Sequence, residues 1–173
     1  FLSGGLDSSI ITKFASDYCE KQGLPPLDTY SIDYVDNDKN FVKSDFQPNS
    51  DGFYIDLMNT NLHTNHHKIV IDTPELADAL EDAMIARDMP GMADIDSSLL
   101  LFCKNVKKQM TVALTGECAD EIFGGYPWFF REDALKSNTF PWSISLTERQ
   151  KLLNPYIGNK INLKEYIDYC YQE

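Results

Sequence analysis

The chain opens on a short segment, Phe1–Ser9, whose sequence predicts the end of a strand, a tight turn and the start of a helix. The adjacent glycines Gly4 and Gly5 allow the backbone to turn sharply and to approach an anion closely. The helix that follows directs its N–H groups and the positive end of its dipole at the same point. This arrangement suits a polyphosphate, and Asp7 adds a carboxylate that can hold the metal ion of a nucleotide triphosphate.

The opening loop differs from the commoner phosphate-binding loops. The pattern Gly-x-x-x-x-Gly-Lys-Ser/Thr is absent from the sequence, and so is Gly-x-Gly-x-x-Gly. Because the turn holds no lysine, a metal ion and basic residues elsewhere must neutralise the phosphate charge. A Gly-Gly turn followed by an ordinary helix cap is the structural alternative at this point.

Strands and helices alternate along the chain. The apolar spacing predicts helices over 8–22, 51–64, 73–88 and 98–108, strands over 27–34, 66–72 and 110–114, and an exposed loop over 35–50. This alternation predicts an α/β fold, a parallel twisted sheet with flanking helices of Rossmann-like type, followed by a helical C-terminal part. In such sheets ligands bind at the carboxyl ends of the strands.

The helix predictions include faces and caps. We expect the first helix to bury its apolar face, made of Ile10, Ile11, Phe14, Ala15 and Tyr18. We expect the third helix to begin with Thr73 as its N-cap and to turn Leu76, Ala79, Leu80, Ala83 and Met84 inward. Asp96 or Ser97 is the expected cap of the fourth helix.

Charge and composition exclude several classes of protein. The 173 residues suit one domain, and their 15 basic and 27 acidic side chains give a net charge of −12, which argues against nucleic-acid binding. No membrane span and no signal peptide are visible, and four cysteines without a C-x-x-C pair favour a reduced, cytoplasmic protein. Because the chain begins with Phe1 at the end of a strand, we expect it to be a piece of a longer protein.

Three histidines lie close together in sequence, but we do not expect them to bind a metal. His66 and His67 are neighbours in a predicted strand, and neighbouring strand residues point to opposite faces of the sheet. The two rings therefore cannot easily share one ion, and His63 lies outside the strand. Packing or surface roles are the prediction for all three.

A second chemistry-bearing loop, Thr115–Tyr126, follows the last predicted strand. Glu117, Asp120 and Glu121 place three carboxylates within five residues. Their mutual repulsion is costly unless a cation or hydrogen bonds offset it. Gly116 lets the backbone approach a ligand. The structural alternative is a helix whose first turn carries acids, which the helix dipole favours.

The two loops together resemble a known family. Ser-Gly-Gly-Leu-Asp-Ser-Ser is similar to the pyrophosphate loop of the N-type ATP pyrophosphatases, which split ATP between its α and β phosphates. Thr-Gly-Glu-x-x-Asp-Glu-x-Phe-Gly-Gly-Tyr resembles the second segment of the synthetase domain of glutamine-hydrolysing asparagine synthetases. This chain has Thr115, Cys118 and Ala119 where the family commonly has Ser, Gly and Ser. The resemblance covers residues 1–130, an expected synthetase core of the adenine nucleotide alpha hydrolase type, and 131–173 is expected to be a truncated helical extension.

The resemblance implies a role for each matching residue. Ser3, Gly4, Gly5, Asp7, Ser8 and Ser9 would hold the ATP phosphates. Asp7 and Asp120 would coordinate Mg²⁺, Thr115 and Gly116 would line the nucleotide site, and the backbone of Ile32 would meet adenine. Glu117 would serve the ammonia step, so Glu117 and Asp120 are the expected catalytic residues. The segment Met89–Ser98 resembles a loop near the nucleotide and the aspartate.

The resemblance also implies an activity and partners. It predicts a ligase that makes asparagine from aspartate through β-aspartyl-AMP, with ammonia delivered from glutamine by an N-terminal amidotransferase domain. A related ligase, such as a β-lactam synthetase or an amidotransferase on another carboxylate, is one alternative, and a non-catalytic nucleotide-binding fragment is another. Neither nucleic acid nor membrane is expected as a partner, and a homodimer is left open.

Overall fold

The computed structural model describes residues 1–43, 49–158 and 160–173, which form two compact units, Phe1–Glu117 and Cys118–Glu173. The helices of the first unit are α1 Leu6–Lys21, α2 Asn37–Asn40, α3 Gly52–Leu62, α4 Thr73–Asp78, α5 Leu80–Arg87 and α6 Ala93–Val106. Those of the second are α7 Ala119–Phe123, α8 Glu132–Leu135, α9 Leu146–Gln150, α10 Pro155–Gly158 and α11 Leu163–Gln172. The predicted division at residue 130 stays a prediction, and residues 44–48 of the predicted 35–50 loop lie outside the described ranges.

The sheet of the first unit is parallel. Strands β1 Asp28–Tyr34 and β2 Asn65–Ile71 pair in register, with Asp28 opposite Asn65 and Tyr34 opposite Ile71. Both strands were predicted to within one residue at each end. The α/β class, with a parallel sheet, flanking helices and a helical C-terminal part, is therefore confirmed.

The strand predicted over 110–114 is wrong. Among the described residues the regular sheet consists of β1 and β2. Leu2 N donates to Tyr30 O at 2.9 Å, and the Phe1 amino group donates to Leu114 O at 2.6 Å. A strand ladder needs consecutive pairs of such bonds, and this single bond from Phe1 to Leu114 does not make one.

The two faces of the sheet differ in chemistry. On one face, the His66 ring bonds Thr29 Oγ1 through Nδ1 at 2.9 Å and Ser31 Oγ through Nε2 at 3.0 Å. On the other face, His67 bonds Asp28 at 2.8 Å and stacks on Tyr30 with ring centroids 4.6 Å apart. The two histidines therefore point to opposite faces, as the strand pattern predicted.

The apolar core lies on the Tyr30 face. Tyr30 packs there with Phe102 and Val106 of α6, and partly buried Phe1, Ile32, Ile69 and Met110 surround them. The Phe1 and Phe102 rings meet edge to face with centroids 4.7 Å apart. Helix α6 thus packs on this face of β1, and this packing determines the position of its first turn.

The predicted apolar face of α1 is wrong in large part. Ile10, Phe14 and Tyr18 are 44%, 72% and 61% exposed, whereas the buried residues of the helix are Ser8 and Thr12. Both hydroxyls are satisfied inside the fold, since Thr12 Oγ1 donates to Ser8 O at 2.8 Å and Ser8 Oγ donates to Gly5 O at 3.1 Å. A buried hydroxyl that has a hydrogen-bond partner costs little free energy. The side of α1 that carries Ser8 and Thr12 can therefore face the interior.

The third predicted helix is two helices, α4 and α5, with Ala79 between them. Its N-cap is Asp72 and not Thr73, because Asp72 and Glu75 form a capping box: Glu75 N donates to Asp72 Oδ1 at 2.8 Å, and Asp72 N donates to Glu75 Oε2 at 3.0 Å. Ala79 and Ala83 are buried as predicted, but Leu80 and Met84 are exposed.

The fourth predicted helix begins earlier than expected. Helix α6 starts at Ala93, and its N-cap residue is Met92, which makes no side-chain cap. Asp96 and Ser97 are therefore inside the helix, and neither is its cap. Ser97 Oγ donates to Ala93 O at 2.9 Å, so its hydroxyl bonds back along the helix.

Aromatic stacking joins the elements of the second unit. Tyr126 stacks on Trp128 with centroids 4.3 Å apart, and Phe140 stacks on Trp142 at 4.9 Å. Phe140 also meets Tyr171 of α11 edge to face at 5.3 Å. This contact ties the C-terminal helix to the middle of the unit.

The stability of the protein is expected to fall as pH drops, through His66. Burial lowers the pKa of His66 below its ordinary value of 6.5. The unfolded chain then binds this proton more readily than the folded chain, so the free energy of unfolding decreases below about pH 6.5. Urea denaturation of the complete protein at pH 7.5 and pH 5.5 measures this decrease, and His66→Gln should reduce it. The exposed His63→Gln variant is the control and should keep it, and equal pH dependence in all three proteins contradicts the assignment.

Candidate active site

The Ser8 hydroxyl closes the first loop. Its oxygen accepts from Ser3 N at 3.2 Å, lies 3.0 Å from Ser3 Oγ and donates to Gly5 O at 3.1 Å. Because its proton goes to Gly5, Ser3 Oγ is the donor of the pair. A hydroxyl has one proton and two acceptor sites, so the Ser8 hydroxyl is fully used within the loop.

Gly4 has a structural reason to be glycine. Its φ is +80°, and a Cβ there would lie 2.9 Å from Asp51 O and 3.1 Å from Tyr54 Cβ. The loop thus lies directly against the start of α3. The close approach that the sequence suggested at Gly4 is an approach to protein backbone.

The first turn of α1 leaves its donors available. Gly5 is the N-cap and provides no side-chain cap, and Ser9 N is used by Gly5 O at 3.1 Å. Among the described residues no partner occurs for the amides of Leu6, Asp7 and Ser8. These amides and the helix dipole favour an anion at this end. The half-buried Asp7 lies in the same turn.

The second loop meets the first at Gly116. A Cβ on Gly116 would lie 2.9 Å from Ser8 N and 3.1 Å from both the carbonyl carbon and the Cβ of Asp7. Such spacing is closer than a side chain tolerates, so only glycine allows the contact. The structure thus brings Gly116 into contact with Asp7 and Ser8, which lie more than a hundred residues earlier in the chain.

Thr115 and Glu117 flank this contact. Thr115 Oγ1 accepts a hydrogen bond from Glu117 N at 3.3 Å, which bends the backbone around Gly116. The Glu117 side chain is exposed. Its carboxylate is therefore open to solvent one residue beyond the point where the two loops touch.

Asp120 is held by the glycine pair that follows it. Gly124 N and Gly125 N both donate to Asp120 O, at 2.9 and 3.1 Å. A Cβ on Gly125 would lie 1.9 Å from Asp120 Oδ1, so the carboxylate occupies the space that any other residue would fill. Gly124 closes α7 with a φ of +71°, which also favours glycine.

Carboxylate oxygens are the ligands that Mg²⁺ prefers, and Asp7 and Asp120 are of that kind. Asp7 lies in the first unit and Asp120 in the second. Across the described ranges, no group of three or more His, Cys, Asp or Glu side chains forms a ready metal site. The donor type fits magnesium, and the shared ion stays a prediction.

Cys118 is the N-cap of α7 and has a φ of +70°. This left-handed conformation costs a non-glycine residue roughly 1–2 kcal/mol, whereas glycine loses about 0.5–1 kcal/mol through its greater freedom when unfolded. We therefore expect Cys118→Gly to be more stable than Cys118→Ala by about 0.5–1 kcal/mol in urea denaturation. Equal stability of the two variants, or a more stable alanine variant, contradicts this.

A cavity of about 370 Å³ lies at the carboxyl end of β1. It is lined by Ile32, the residue predicted to meet adenine, and by polar neighbours.

Burial opposes the charge of Asp33, but its ion pair with Lys68 at 2.5 Å and its hydrogen bonds from Tyr34 N and Asn37 hold its pKa below the usual range. The same bond raises the pKa of Lys68. Burial, aided by Asp33, raises the pKa of Asp51 in the cavity wall.

The segment Met89–Ser98 reaches this same edge of the sheet. Ser98 Oγ lies 2.6 Å from Tyr34 Oη, which joins the second turn of α6 to the last residue of β1. Sequence reasoning missed this bond, the Asp33–Lys68 pair and an ion pair between Arg87 and Asp96. Their partners are far apart in sequence or embedded in ordinary helix patterns, so no local signal marked them.

Comparisons with known proteins agree with this architecture. The fold is of the α/β class, with a glycine-rich loop opening a helix. The family model described as asparagine synthase matches residues 1–173. The chain belongs to the asparagine synthase family.

Curated relatives add detail. The chain is 56% identical over its whole length to asparagine synthetase (glutamine-hydrolyzing) 3 of Bacillus subtilis, and covers 28% of that protein. It is 31% identical over 73% of its length to asparagine synthetase (glutamine-hydrolyzing) 1 of the same organism, covering 18% of it. It is also 31% identical over 88% of its length to amidase chyE of Penicillium rubens, covering 23% of that protein. The chain thus spans less than a third of the length of these relatives.

None of the described helices combines the length and the apolar character that crossing a membrane demands.

Proposed function

We propose that the complete protein is a ligase that makes asparagine from aspartate, using ATP and ammonia from glutamine. The observation that carries this proposal is the contact of Gly116 with Asp7 and Ser8, in a chain that matches the asparagine synthase family from end to end. The contact joins the two loops whose sequences carry the resemblance. A site of this kind favours a reaction at ATP phosphates.

The first step is proposed to be adenylation of aspartate. An oxygen of the side-chain carboxylate forms a bond to the α-phosphorus of ATP, and the bond to the β-phosphate oxygen breaks, releasing pyrophosphate. The amides of Leu6, Asp7 and Ser8 face the developing charge of the leaving group. Since the Ser8 hydroxyl is fully bonded, Ser8 acts through its backbone, with Ser3, Gly4, Gly5 and Ser9 shaping the cradle. Asp7 and Asp120 would hold a magnesium ion, which would further neutralise the phosphate charge.

The second step is proposed to be attack of ammonia on β-aspartyl-AMP. Nitrogen forms a bond to the acyl carbon, and AMP leaves with the oxygen that came from the carboxylate. Near neutral pH the nitrogen source is mostly ammonium, so a base that removes a proton accelerates the step. The exposed Glu117 carboxylate, beside the loop contact at Gly116, is the proposed base.

The remaining parts of the proposal concern recognition and supply. Ile32, on the cavity at the end of β1, is the proposed contact of adenine through its backbone. Thr115 and Gly116 are proposed to line the nucleotide. Ammonia is proposed to come from an amidotransferase domain of the complete protein. The names of two relatives include the words glutamine-hydrolyzing, which supports this nitrogen source.

A second candidate is a ligase or amidotransferase acting on another carboxylate. The similarity of the chain to amidase chyE, 31% identical over 163 residues, supports this second candidate. A non-catalytic nucleotide-binding role is less favoured, because Asp7, Glu117 and Asp120 are all present.

Pyrophosphate release by the complete protein separates these candidates. With ATP, Mg²⁺ and ammonium, release that depends on aspartate and yields asparagine is the expected result. Release only with a different carboxylic acid selects the second candidate. Absence of release with every acid tested overturns both ligase proposals.

A further inference from the structure

A chain of hydrogen bonds with one fixed direction joins α3 to the two strands. Thr64 Oγ1 donates to Asn59 Oδ1 at 2.6 Å, and Thr29 Oγ1 donates to Thr64 Oγ1 at 3.2 Å. A threonine hydroxyl has one proton, so the Thr29 oxygen can only accept from the His66 ring, whose Nδ1 lies 2.9 Å away. His66 Nδ1 therefore carries a proton.

The tautomer of His66 determines which way the Ser31 hydroxyl points. Burial lowers the pKa of His66, so the ring is neutral at about pH 7 and holds its single proton on Nδ1. The other ring nitrogen, Nε2, is then an acceptor, and it lies 3.0 Å from Ser31 Oγ. Ser31 therefore donates its only proton to His66. The Ser31 oxygen keeps two acceptor sites and has no donor to offer.

The Ser31 side chain borders the cavity at the carboxyl end of β1. Ser31 and its neighbour Ile32 both line this cavity of about 370 Å³, and Ser31 is 4% exposed. Among the described residues, the bond to His66 is the only one that the Ser31 side chain makes. Its acceptor sites are therefore left for a ligand in the cavity. Because two acceptors that face each other in a buried site cost free energy, Ser31 selects a ligand that donates.

The donors beside Ser31 in the cavity wall are directed at another residue. Lys68, the register partner of Ser31 on β2, pairs with Asp33 at 2.5 Å, and Asn37 Nδ2 donates to Asp33 Oδ1 at 2.8 Å. The described part of the wall also carries three further carboxyl groups, those of Asp38, Asp51 and Asp56. This surplus of acids disfavours a phosphate in the cavity and favours a part of the nucleotide that carries hydrogen-bond donors.

We propose that Ser31 determines the base specificity of the nucleotide site by accepting a hydrogen bond from the 6-amino group of adenine. This inference rests on the proposed function, in which the Ile32 backbone meets the same base. Adenine presents a donor at position 6, whereas a 6-oxo purine such as guanine or hypoxanthine presents an acceptor there. A 6-oxo purine would place its oxygen against the Ser31 oxygen with no proton between them. Thr29 and His66 are positioning residues, since they act through the direction of the Ser31 proton.

Comparison of ATP with inosine triphosphate (ITP), whose base has an oxo group in place of the amino group, tests the proposal in the complete protein. Wild type should have the higher kcat/KM for ATP in aspartate-dependent pyrophosphate release. Ser31→Ala should reduce this preference by about tenfold, mainly through a loss with ATP. Ser31→Thr keeps the hydroxyl and should retain most of the preference. Ser143→Ala is the matched control, because Ser143 is also buried but lies in the second unit.

A variant at Thr29, which is not among the described residues that line this cavity, makes the test specific. Thr29→Val removes the acceptor of His66 Nδ1 and nearly conserves the volume of the side chain. The ring proton should then move to Nε2 and bond Ser31, whose own proton turns towards the cavity. The kcat/KM for ITP should rise while that for ATP falls. A general loss of packing would lower both values.

NMR of protein labelled with ¹⁵N in its histidines gives a readout apart from activity. The ring nitrogens of His66 should report a proton on Nδ1 in wild type and on Nε2 in Thr29→Val. A proton on Nε2 in wild type, equal use of ATP and ITP by wild type, or an unchanged preference in Ser31→Ala overturns the inference. If wild type releases no pyrophosphate with aspartate, the proposed function fails, and the relative affinities for ATP and ITP measured by calorimetry then test Ser31 alone.

Discussion

Replacing Gly116 with alanine should lower kcat/KM for aspartate-dependent pyrophosphate release by about 100-fold. The added Cβ would lie 2.9 Å from Ser8 N and 3.1 Å from Asp7, so the two loops must separate. A displacement on the scale of 1 Å in a phosphate-binding site is enough for a loss of this size. The measurement is a coupled pyrophosphate assay on the complete protein.

The control for this prediction is Gly158→Ala, because Gly158 lies outside both loops and a Cβ there would meet its nearest atom, Leu153 Cβ, at an ordinary 3.8 Å. Both variants should remain folded by circular dichroism, and only Gly116→Ala should lose activity. Gly116 is not among the glycines with positive φ, so alanine strains contacts there and not the backbone. An active Gly116→Ala protein contradicts the joining of the two loops into one site.

Replacing Glu117 with glutamine should separate the two chemical steps. Loss of a general base lowers a rate by about 10²- to 10⁴-fold, so asparagine formation from ammonium should fall by at least about 100-fold. Aspartate-dependent exchange of labelled pyrophosphate into ATP reports adenylation alone. It should persist, because Glu117 is proposed to act after pyrophosphate has left.

Glu121→Gln is the matched control for Glu117. Glu121 is an acid of the same loop, and its Oε1 accepts a hydrogen bond from Tyr126 Oη at 2.9 Å. The proposed reaction does not use Glu121 to transfer a proton. It should retain asparagine formation to within about tenfold. Normal asparagine synthesis by Glu117→Gln rules out the base, and loss of exchange moves Glu117 into the adenylation step.

The sheet and the helix alternation could be predicted because they follow local patterns. β1 and β2 are rich in β-forming residues, and each was predicted to within one residue at each end. The burial of α1 could not, because it depends on what the helix packs against. Ser8 and Thr12 find partners inside the fold, and that choice leaves Ile10 and Phe14 exposed.

The segment 110–114 shows a different limit. Its apolar sequence is that of a strand, but strand formation requires a paired neighbour, and Leu114 accepts a single bond, from Phe1. A residue pattern records propensity and not pairing. The early start of α6 could not be predicted either, because its N-cap residue is Met92, whose side chain cannot cap a helix and so marks no helix start in the sequence.

Both loops could be identified from the glycines and acids of the sequence, and Gly116 contacts Asp7 and Ser8 in the structure. The roles assigned to the residues of the two loops stay predictions. Gly4 was expected to allow close approach to an anion, yet a Cβ there would meet Asp51 O, and a Cβ on Gly125 would meet Asp120 Oδ1. Neither contact partner follows from spacing, because α3 and the Asp120 rotamer must be placed first.

The most direct test of the proposed adenylation of aspartate follows one oxygen atom of its side chain. The complete protein is given aspartate labelled with ¹⁸O in its side-chain carboxylate, together with ATP, Mg²⁺ and ammonium, and the products are examined by mass spectrometry. Attack of the carboxylate on the α-phosphorus predicts AMP that carries one ¹⁸O and unlabelled pyrophosphate. Unlabelled AMP, or ¹⁸O appearing in inorganic phosphate, contradicts an adenylate intermediate.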